Sequence, residues 1–297
     1  IRDHCVTGVQ TCALPILIVN RVWQWHFGEA LVRSPDNFGR LGERPTHPEL
    51  LDYLAVRLQG QGWSLKALHR QILLSSTWQM STRFDPAAVE KDPENRLWWR
   101  FNRRRLEAEA LRDSILAVAG TLDSNMGGTL LPTPNRAYVT STANVNPVVY
   151  DPPRRSLYLP VVRSALYDVF QAFDFADPSV QSGRRDTTTV APQALFLMNS
   201  DLVLKQTREL ARQLLAQSDR TDADRVVELY QRALGRPPRT VEIERGLGFV
   251  QRYQLAASNP APAASGTAAD APGPAGERAW QALCRAVLAS NEFIYVE

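Results

Sequence analysis

The feature that most constrains the fold of this 297-residue chain is the spacing of its apolar residues by three and four positions, between residues that start and end helices. From Leu106 to Ala119 the apolar residues share one helical face, and Gly120 follows. Predicted capping boxes at Thr46–Glu49 and Thr221–Asp224 mark further helix starts. The pattern predicts a mainly α fold, a single multi-helix domain of about nine helices with long irregular loops and at most a minor β element.

The stretch from 151 to 199 departs from this regular pattern. Ser156–Val162 is rich in leucine, valine and tyrosine, which favours a short strand or extended segment. Ala165–Phe173 has the spacing of a short helix, with apolar residues on one face. Thr187–Val190 is β-branched and directly precedes a proline-containing helix start, so it is predicted to be extended.

Arginines and aspartates are concentrated in the same stretch and form the candidate site. A guanidinium group offers five N–H donors, which hold a buried carboxylate or main-chain carbonyls as readily as they bind an anionic ligand. We favour the structural interpretation over an anion or substrate site, because ion-pair networks imitate functional sites. It requires that Arg184 or Arg185 is mostly buried and bonded. The candidate residues are Arg154, Arg155, Arg184, Arg185, Asp151, Asp177 and Asp186.

Other common chemistries lack their residues in this sequence. There is no GxSxG, Walker loop, HExxH, GxGxxG or EF-hand pattern, so no catalytic residue is named and an enzymatic role stays open. No CxxCH motif is present, so no cofactor is predicted for this chain. Cys284 is predicted to be an inert core thiol. His26, His47 and His69 lie on three predicted helices, and their spacing does not favour a metal site.

The composition disfavours nucleic acid and membrane partners. The net charge is only +3, which gives no strong field to attract nucleic acid. The aromatic and arginine residues of 97–105 are therefore interpreted as a core with a charged rim rather than as a base-stacking surface. No apolar run reaches the roughly 20 residues that span a bilayer.

The N-terminal segment fits nothing that follows it. Residues 1–16 contain CVTGVQTCALPI, which resembles translated sequencing-adapter read-through at the broken ends of metagenomic genes, and we treat them as a non-native segment. The helical domain is then 17–297, with its first helix from about Leu17. It contains a flexible Ala/Pro/Gly-rich loop at 259–276 and a long loop at 123–150 that is a candidate lid for a site.

Several long phrases of the sequence resemble a known family. They include NRVWQWHFGEALVRSPDNFG, THPELLDYLA, RRRLEAEALRDSILAVAGTLD, RRSLYLPVVR, FDFADPSV, GRRDTTTVAPQALFLMNS and ASNEFIYVE, which together extend from about Ile18 to Glu297. The chain resembles the planctomycete-type fifteen-fifty-three domain-of-unknown-function family, found near the C-terminus of large exported proteins that also carry a cytochrome c domain. No established reaction accompanies the resemblance.

The resemblance implies a periplasmic or cell-surface location. It implies that the partners are upstream domains of the same polypeptide, where a haem group would also lie. We therefore expect a non-catalytic interaction or structural domain at the C-terminal end of an exported, cytochrome-c-associated protein. The alternative is a hydrolase-type enzyme domain that acts on extracellular polymer through a carboxylate and arginine site near 151–199.

Overall fold

The computed structural model describes residues 9–128, 152–161, 166–258 and 274–296. The chain divides into two compact units, a division that the sequence did not predict. Unit 1 comprises the described residues up to Arg104 together with Ser182–Arg184. Unit 2 comprises the described residues of Arg105–Gln181 and Arg185–Val296.

Unit 1 is built on a helical core that is rich in aromatic side chains. Its helices are α1 (Val9–Phe27), α2 (Pro48–Gly60), α3 (Leu65–Leu73) and α4 (Pro86–Lys91). α1 presents valine and aromatic residues to leucines of α2, and α3 and the 98–101 segment complete the core. Trp98 and Phe101 are buried there, as the interpretation of 97–105 as a core requires. The principal members are Val19, Trp23, Phe27, Leu51, Leu54, Leu58, Leu68, Ile72, Trp98 and Phe101.

Unit 2 contains the remaining helices and two buried clusters. One cluster packs α5, α6 and α7 against the C-terminal residues, and the other contains side chains of α8, α9, α10 and α11. The two-residue strand β2 (Tyr295–Val296) pairs with β1 (Arg104–Arg105). Cys284 lies in the second cluster with no exposed surface, and burial raises the pKa of its thiol. The helices are α5 (Ala108–Val118), α6 (Asp168–Ala172), α7 (Ala191–Asn199), α8 (Asp201–Ala216), α9 (Asp222–Leu234), α10 (Thr240–Ser258), α11 (Ala275–Leu288) and α12 (Asn291–Ile294).

The predicted fold class is confirmed, since the described residues are mainly helical with one two-stranded sheet. The capping box at Thr221–Asp224 is also confirmed, with both reciprocal hydrogen bonds formed. The capping box at Thr46–Glu49 is wrong. His47 is the N-cap residue of α2, without a side-chain cap, because the helix starts at Pro48 and the Thr46 hydroxyl donates to the Leu31 carbonyl.

Two other local predictions need correction. The segment predicted as a strand begins with a 3-10 turn at Ser156–Tyr158, because the Asp113 carboxylate accepts hydrogen bonds from both the N–H and the hydroxyl of Ser156. α1 begins at Val9 rather than near Leu17, and Ile16 packs on the core of unit 1. Among the described residues, no helix is both long and apolar enough to cross a membrane.

Candidate functional site

Arg105 is buried in unit 2, with only 4% of its side chain exposed. Its guanidinium group donates to Asp174 Oδ2 at 2.7 Å and to the main-chain carbonyl of Thr188. The same carboxylate accepts from the N–H and the hydroxyl of Thr188. Asp174 has a φ of +56°, in the left-handed region that aspartate tolerates better than most residues. Arg105 and Asp174 therefore hold the irregular segment around Thr188 in place.

The Asp174 carboxyl is kept ionised by these contacts. Burial acts to raise its pKa, but the hydrogen bonds from the Thr188 N–H, the Arg105 guanidinium and the Thr188 hydroxyl outweigh it and lower the pKa below the usual 3.8. A carboxylate in this state is an ion-pair partner rather than a proton donor near neutral pH.

Arg112 of α5 is the most deeply buried arginine in the described parts of the chain, with 1% of its surface exposed. Its Nη1 donates to the Arg154 carbonyl at 2.8 Å, and its Nη2 donates to the Pro152 carbonyl at 2.9 Å. The guanidinium carbon lies 5.7 Å from the centre of the Tyr167 ring. A single side chain thus satisfies carbonyls of the 152–156 segment that no helix or sheet satisfies.

Arg185 is the predicted site residue that forms the strongest ion pair. Its guanidinium group binds both oxygens of Glu109, at 2.7 and 2.8 Å, and Glu107 at 3.0 Å. These contacts, led by the Glu109 hydrogen bond, raise the pKa of Arg185. The side chain is 32% exposed, so most of it is buried and it is bonded to carboxylates, as predicted for Arg184 or Arg185. Burial is partial because Glu107 and Glu109 lie in and beside the first turn of α5.

The other predicted site residues have separate partners. Arg184 belongs to unit 1, is 54% exposed and pairs with Glu29. Arg154 donates to the carbonyls of Asn125 and Gly127 and lies 3.6 Å from Asp123. Arg184 and Arg154 are thus engaged by their own unit, and neither extends the Arg105–Asp174 pair.

The last four predicted site residues are not part of the arginine and carboxylate pairs described above. The Asp177 carboxylate accepts hydrogen bonds from the N–H and the hydroxyl of Ser179, which closes a turn. Arg155 and Asp186 are exposed, and neither side chain forms a hydrogen bond or ion pair with another described residue. Asp151 lies outside the described residues, as do 129–150 of the predicted lid loop and 259–273 of the predicted flexible loop.

An open groove of about 860 Å³ runs along α6, α7 and α8 in the described part of unit 2. Leu195 and Phe196 of α7 contribute apolar surface to its lining, and so does Tyr167, whose ring packs on the Arg112 guanidinium group. Two exposed carboxylates, Asp168 at the start of α6 and Asp201 at the start of α8, also line it. The groove thus combines apolar surface with negative charge.

The three candidate histidines are distributed unevenly in unit 1. His26 of α1 and His69 of α3 are in direct contact, with His26 Nε2 2.7 Å from His69 Nδ1. The Nδ1 atom of His47 contacts only the hydroxyl of its neighbour Thr46 among the described residues. Within the parts of the chain that the structure describes, no three His, Cys, Asp or Glu side chains come together as a metal site.

The sequence matches a protein-family model over most of its length. The model described as PSD1, protein of unknown function (DUF1553), matches residues 14–250. The chain belongs to this family. Neither the search of curated proteins nor the search of solved structures found a match. The family match covers most of α1, all of α2 to α9 and most of α10, and so includes Arg105, Arg112 and the groove along α6–α8.

Sequence reasoning missed Arg105 and Arg112, although one signal for Arg112 exists. In α5 the buried positions are Ala108, Leu111, Arg112, Ile115 and Leu116, which is the spacing of a single apolar stripe. An arginine inside such a stripe must find internal acceptors. Arg105 precedes the helix, where no comparable periodicity marks it.

We predict that Arg112→Ala destabilises the protein strongly, because it leaves the carbonyls of Pro152 and Arg154 without donors. The expected loss in free energy of unfolding is about 3–5 kcal/mol, measured by urea denaturation. Arg112→Lys recovers only part of this, since an ammonium group cannot reproduce the planar fork. Arg155→Ala is the matched control and changes stability by less than about 0.5 kcal/mol. Equal effects of Arg112→Ala and Arg155→Ala would contradict the assignment.

We also predict an acid-sensitive contribution from Asp174. Its pKa is lower in the folded than in the unfolded state, so its contribution to stability is present above the usual pKa of 3.8 and is lost as pH falls below it. Asp174→Asn should lower stability at pH 7 and flatten the pH dependence below about pH 4, measured by denaturant titrations at several pH values. An unchanged acid limb in the variant would argue against this role.

Proposed function

We propose that this chain is a non-catalytic interaction or structural domain, forming the C-terminal part of a larger exported protein that also carries a cytochrome c domain. The observation that supports it best is that the ionisable groups that contact the 151–199 stretch are bonded to other groups of the protein. Arg105 donates hydrogen bonds to Asp174 and to a main-chain carbonyl, and Arg112 donates to two main-chain carbonyls. Arg185 donates to Glu109. Groups engaged in this way shape the domain and leave little capacity for chemistry.

The carboxyl groups of unit 2 whose pKa values are shifted are all shifted downward. Arg236 hydrogen-bonds both Glu242 and Glu292 and lowers the pKa of each carboxyl. The Thr221 hydroxyl and N–H do the same for Asp224. A general acid working near neutral pH requires the opposite, a carboxyl pKa raised toward 7. The shifts therefore support a structural role for these residues.

The groove along α6–α8 is the surface that we assign to the interaction. Leu195 is 58% exposed on its rim and Met198 is exposed one helical turn further on. Exposed apolar surface with charged residues at its rim is typical of sites that bind another protein. Asp168 and Asp201 favour a partner surface that carries basic residues. We take this partner to be an upstream domain of the same polypeptide.

The alternative is a hydrolase-type domain acting on extracellular polymer. The observation that favours it is the pair of exposed carboxylates, Asp168 and Asp201, in one groove with Lys205. Paired carboxylates on either side of a scissile bond perform glycoside hydrolysis. These residues differ from the arginine cluster that the sequence suggested, although Asp168 lies in the same stretch.

We predict that Leu195→Glu weakens binding of this chain to the haem-loaded upstream region of its own complete gene product. Loss of an apolar anchor and repulsion from Asp168 and Asp201 should reduce affinity by about tenfold or more, measured by isothermal titration calorimetry. Leu157→Glu is the matched control, because Leu157 is also exposed in unit 2 but does not line the groove. A complete gene without an upstream CxxCH region, or equal binding by both variants, would contradict the proposal.

The hydrolase alternative makes a separate prediction. If it holds, release of reducing ends from polysaccharide is measurable for the unaltered chain and falls by about a hundredfold or more in Asp168→Asn and Asp201→Asn. Asp219→Asn, at an exposed position outside the groove, should retain full activity. The absence of any hydrolysis by the unaltered chain across a panel of polymers would exclude this alternative.

A further inference from the structure

Two histidines from different helices of unit 1 form a hydrogen bond. His26 Nε2 and His69 Nδ1 are 2.7 Å apart, and the ring planes are inclined by 67°. Both side chains are half-buried. At this distance one of the two facing nitrogens is an N–H donor and the other is the hydrogen-bond acceptor. The accepting nitrogen carries no proton, so at least one of the two rings is neutral. The contact joins α1 to α3.

The surroundings of His26 oppose a positive charge on its ring. From α3 it faces His69, and from β1 it is near Arg104, whose guanidinium group donates to the carbonyl of Trp25. The segment after α3 contributes the edge of the Trp78 ring, which carries no charge, at 5.3 Å between ring centres. The other helix packed on α1 is α2, which contributes Leu51, Leu54, Ala55 and Leu58 to the core of unit 1.

We propose that the His26–His69 pair is a pH-sensitive latch that ties α1 to α3 in unit 1, closed near neutral pH and released in mildly acidic solution. When both imidazoles are protonated, each facing nitrogen carries a proton and the hydrogen bond is replaced by the repulsion of two cations. Arg104 adds to that repulsion. The latch needs no ligand or metal, because the proton itself is the signal.

The direction of the pH effect follows from linkage. Burial first, and then His69 and Arg104, lower the pKa of His26 below its usual 6.5. A group whose pKa is lower in the closed state binds a proton more readily in the open state. The closed state is therefore fully favoured above the usual pKa and loses stability as pH falls below it.

Hydrogen–deuterium exchange of the full chain between pH 8 and pH 5, corrected for intrinsic exchange rates, tests the latch. Protection of the α1 and α3 amides should fall toward pH 5, by at most about thirtyfold for one histidine with an unfolded pKa near 6.5. The amides of α8 and α11 should keep their protection, because acid destabilisation through Asp174 begins only below about pH 4. Protection of α1 and α3 that is flat with pH would overturn the proposal.

Three variants separate the latch from ordinary acid sensitivity. His26→Gln and His69→Gln should remove the pH dependence of α1 and α3, whereas His47→Gln should keep it, since His47 contacts Thr46 and no other histidine. Retention in either latch variant, or loss in His47→Gln, would refute the assignment. If the latch variants do not fold, imidazole titration of the unaltered chain by NMR decides. A His26 signal that titrates below pH 6.5 supports the latch, and a His26 signal that titrates near 6.5 overturns it.

Discussion

Unit 2 depends on guanidinium groups that donate to main-chain carbonyls of irregular segments. Where the chain leaves helix and sheet, its carbonyls lose their regular partners, and burying them unpaired costs about 1–3 kcal/mol each. Arg112 supplies the donors for 152–156 and Arg105 for the segment around Thr188. Each charge is in turn compensated nearby, by Asp174 for Arg105 and, at 3.6 Å, by Asp113 for Arg112. Arg112 also packs on the ring of Tyr167, which lines the α6–α8 groove.

Aromatic rings are the second partner of these arginines. The guanidinium carbons of Arg105, Arg112, Arg154 and Arg185 lie between 4.9 and 5.7 Å from the ring centres of Phe173, Tyr167, Tyr158 and Phe175, respectively. A planar guanidinium group stacks on an aromatic face while its edge donates hydrogen bonds, and an ammonium group cannot do both. Arginine accounts for 34 − 3 = 31 of the basic residues, since lysine occurs only at 66, 91 and 205. At the four stacked positions arginine can pack on a ring and donate hydrogen bonds at the same time, which lysine cannot.

Local sequence signals predicted the helices better than the site. The capping box at Thr221–Asp224 involves neighbours in sequence, so a short pattern reveals it. The partner of Arg185 is Glu109, 76 residues away, and that of Arg105 is Asp174, 69 residues away. Proximity in sequence pointed to Asp151, Asp174, Asp177 and Asp186 as the partners of Arg184 and Arg185, because it cannot show that the fold brings Glu109 to Arg185. The contact between His26 and His69, 43 residues apart, was hidden for the same reason.

The two units use ionisable side chains that respond to acid in different ranges of pH. In unit 2 the carboxylates of Asp174, Glu242 and Glu292 are paired with guanidinium groups, which stay protonated at every physiological pH, and these partners lower the pKa of each carboxyl. The charges of these pairs therefore stay constant from neutral pH down to about pH 4. Unit 1 instead places two imidazoles in contact, the side chain whose charge changes within the mildly acidic range. Among the described residues of the two units, only unit 1 carries such a contact, and mild acidification would break it.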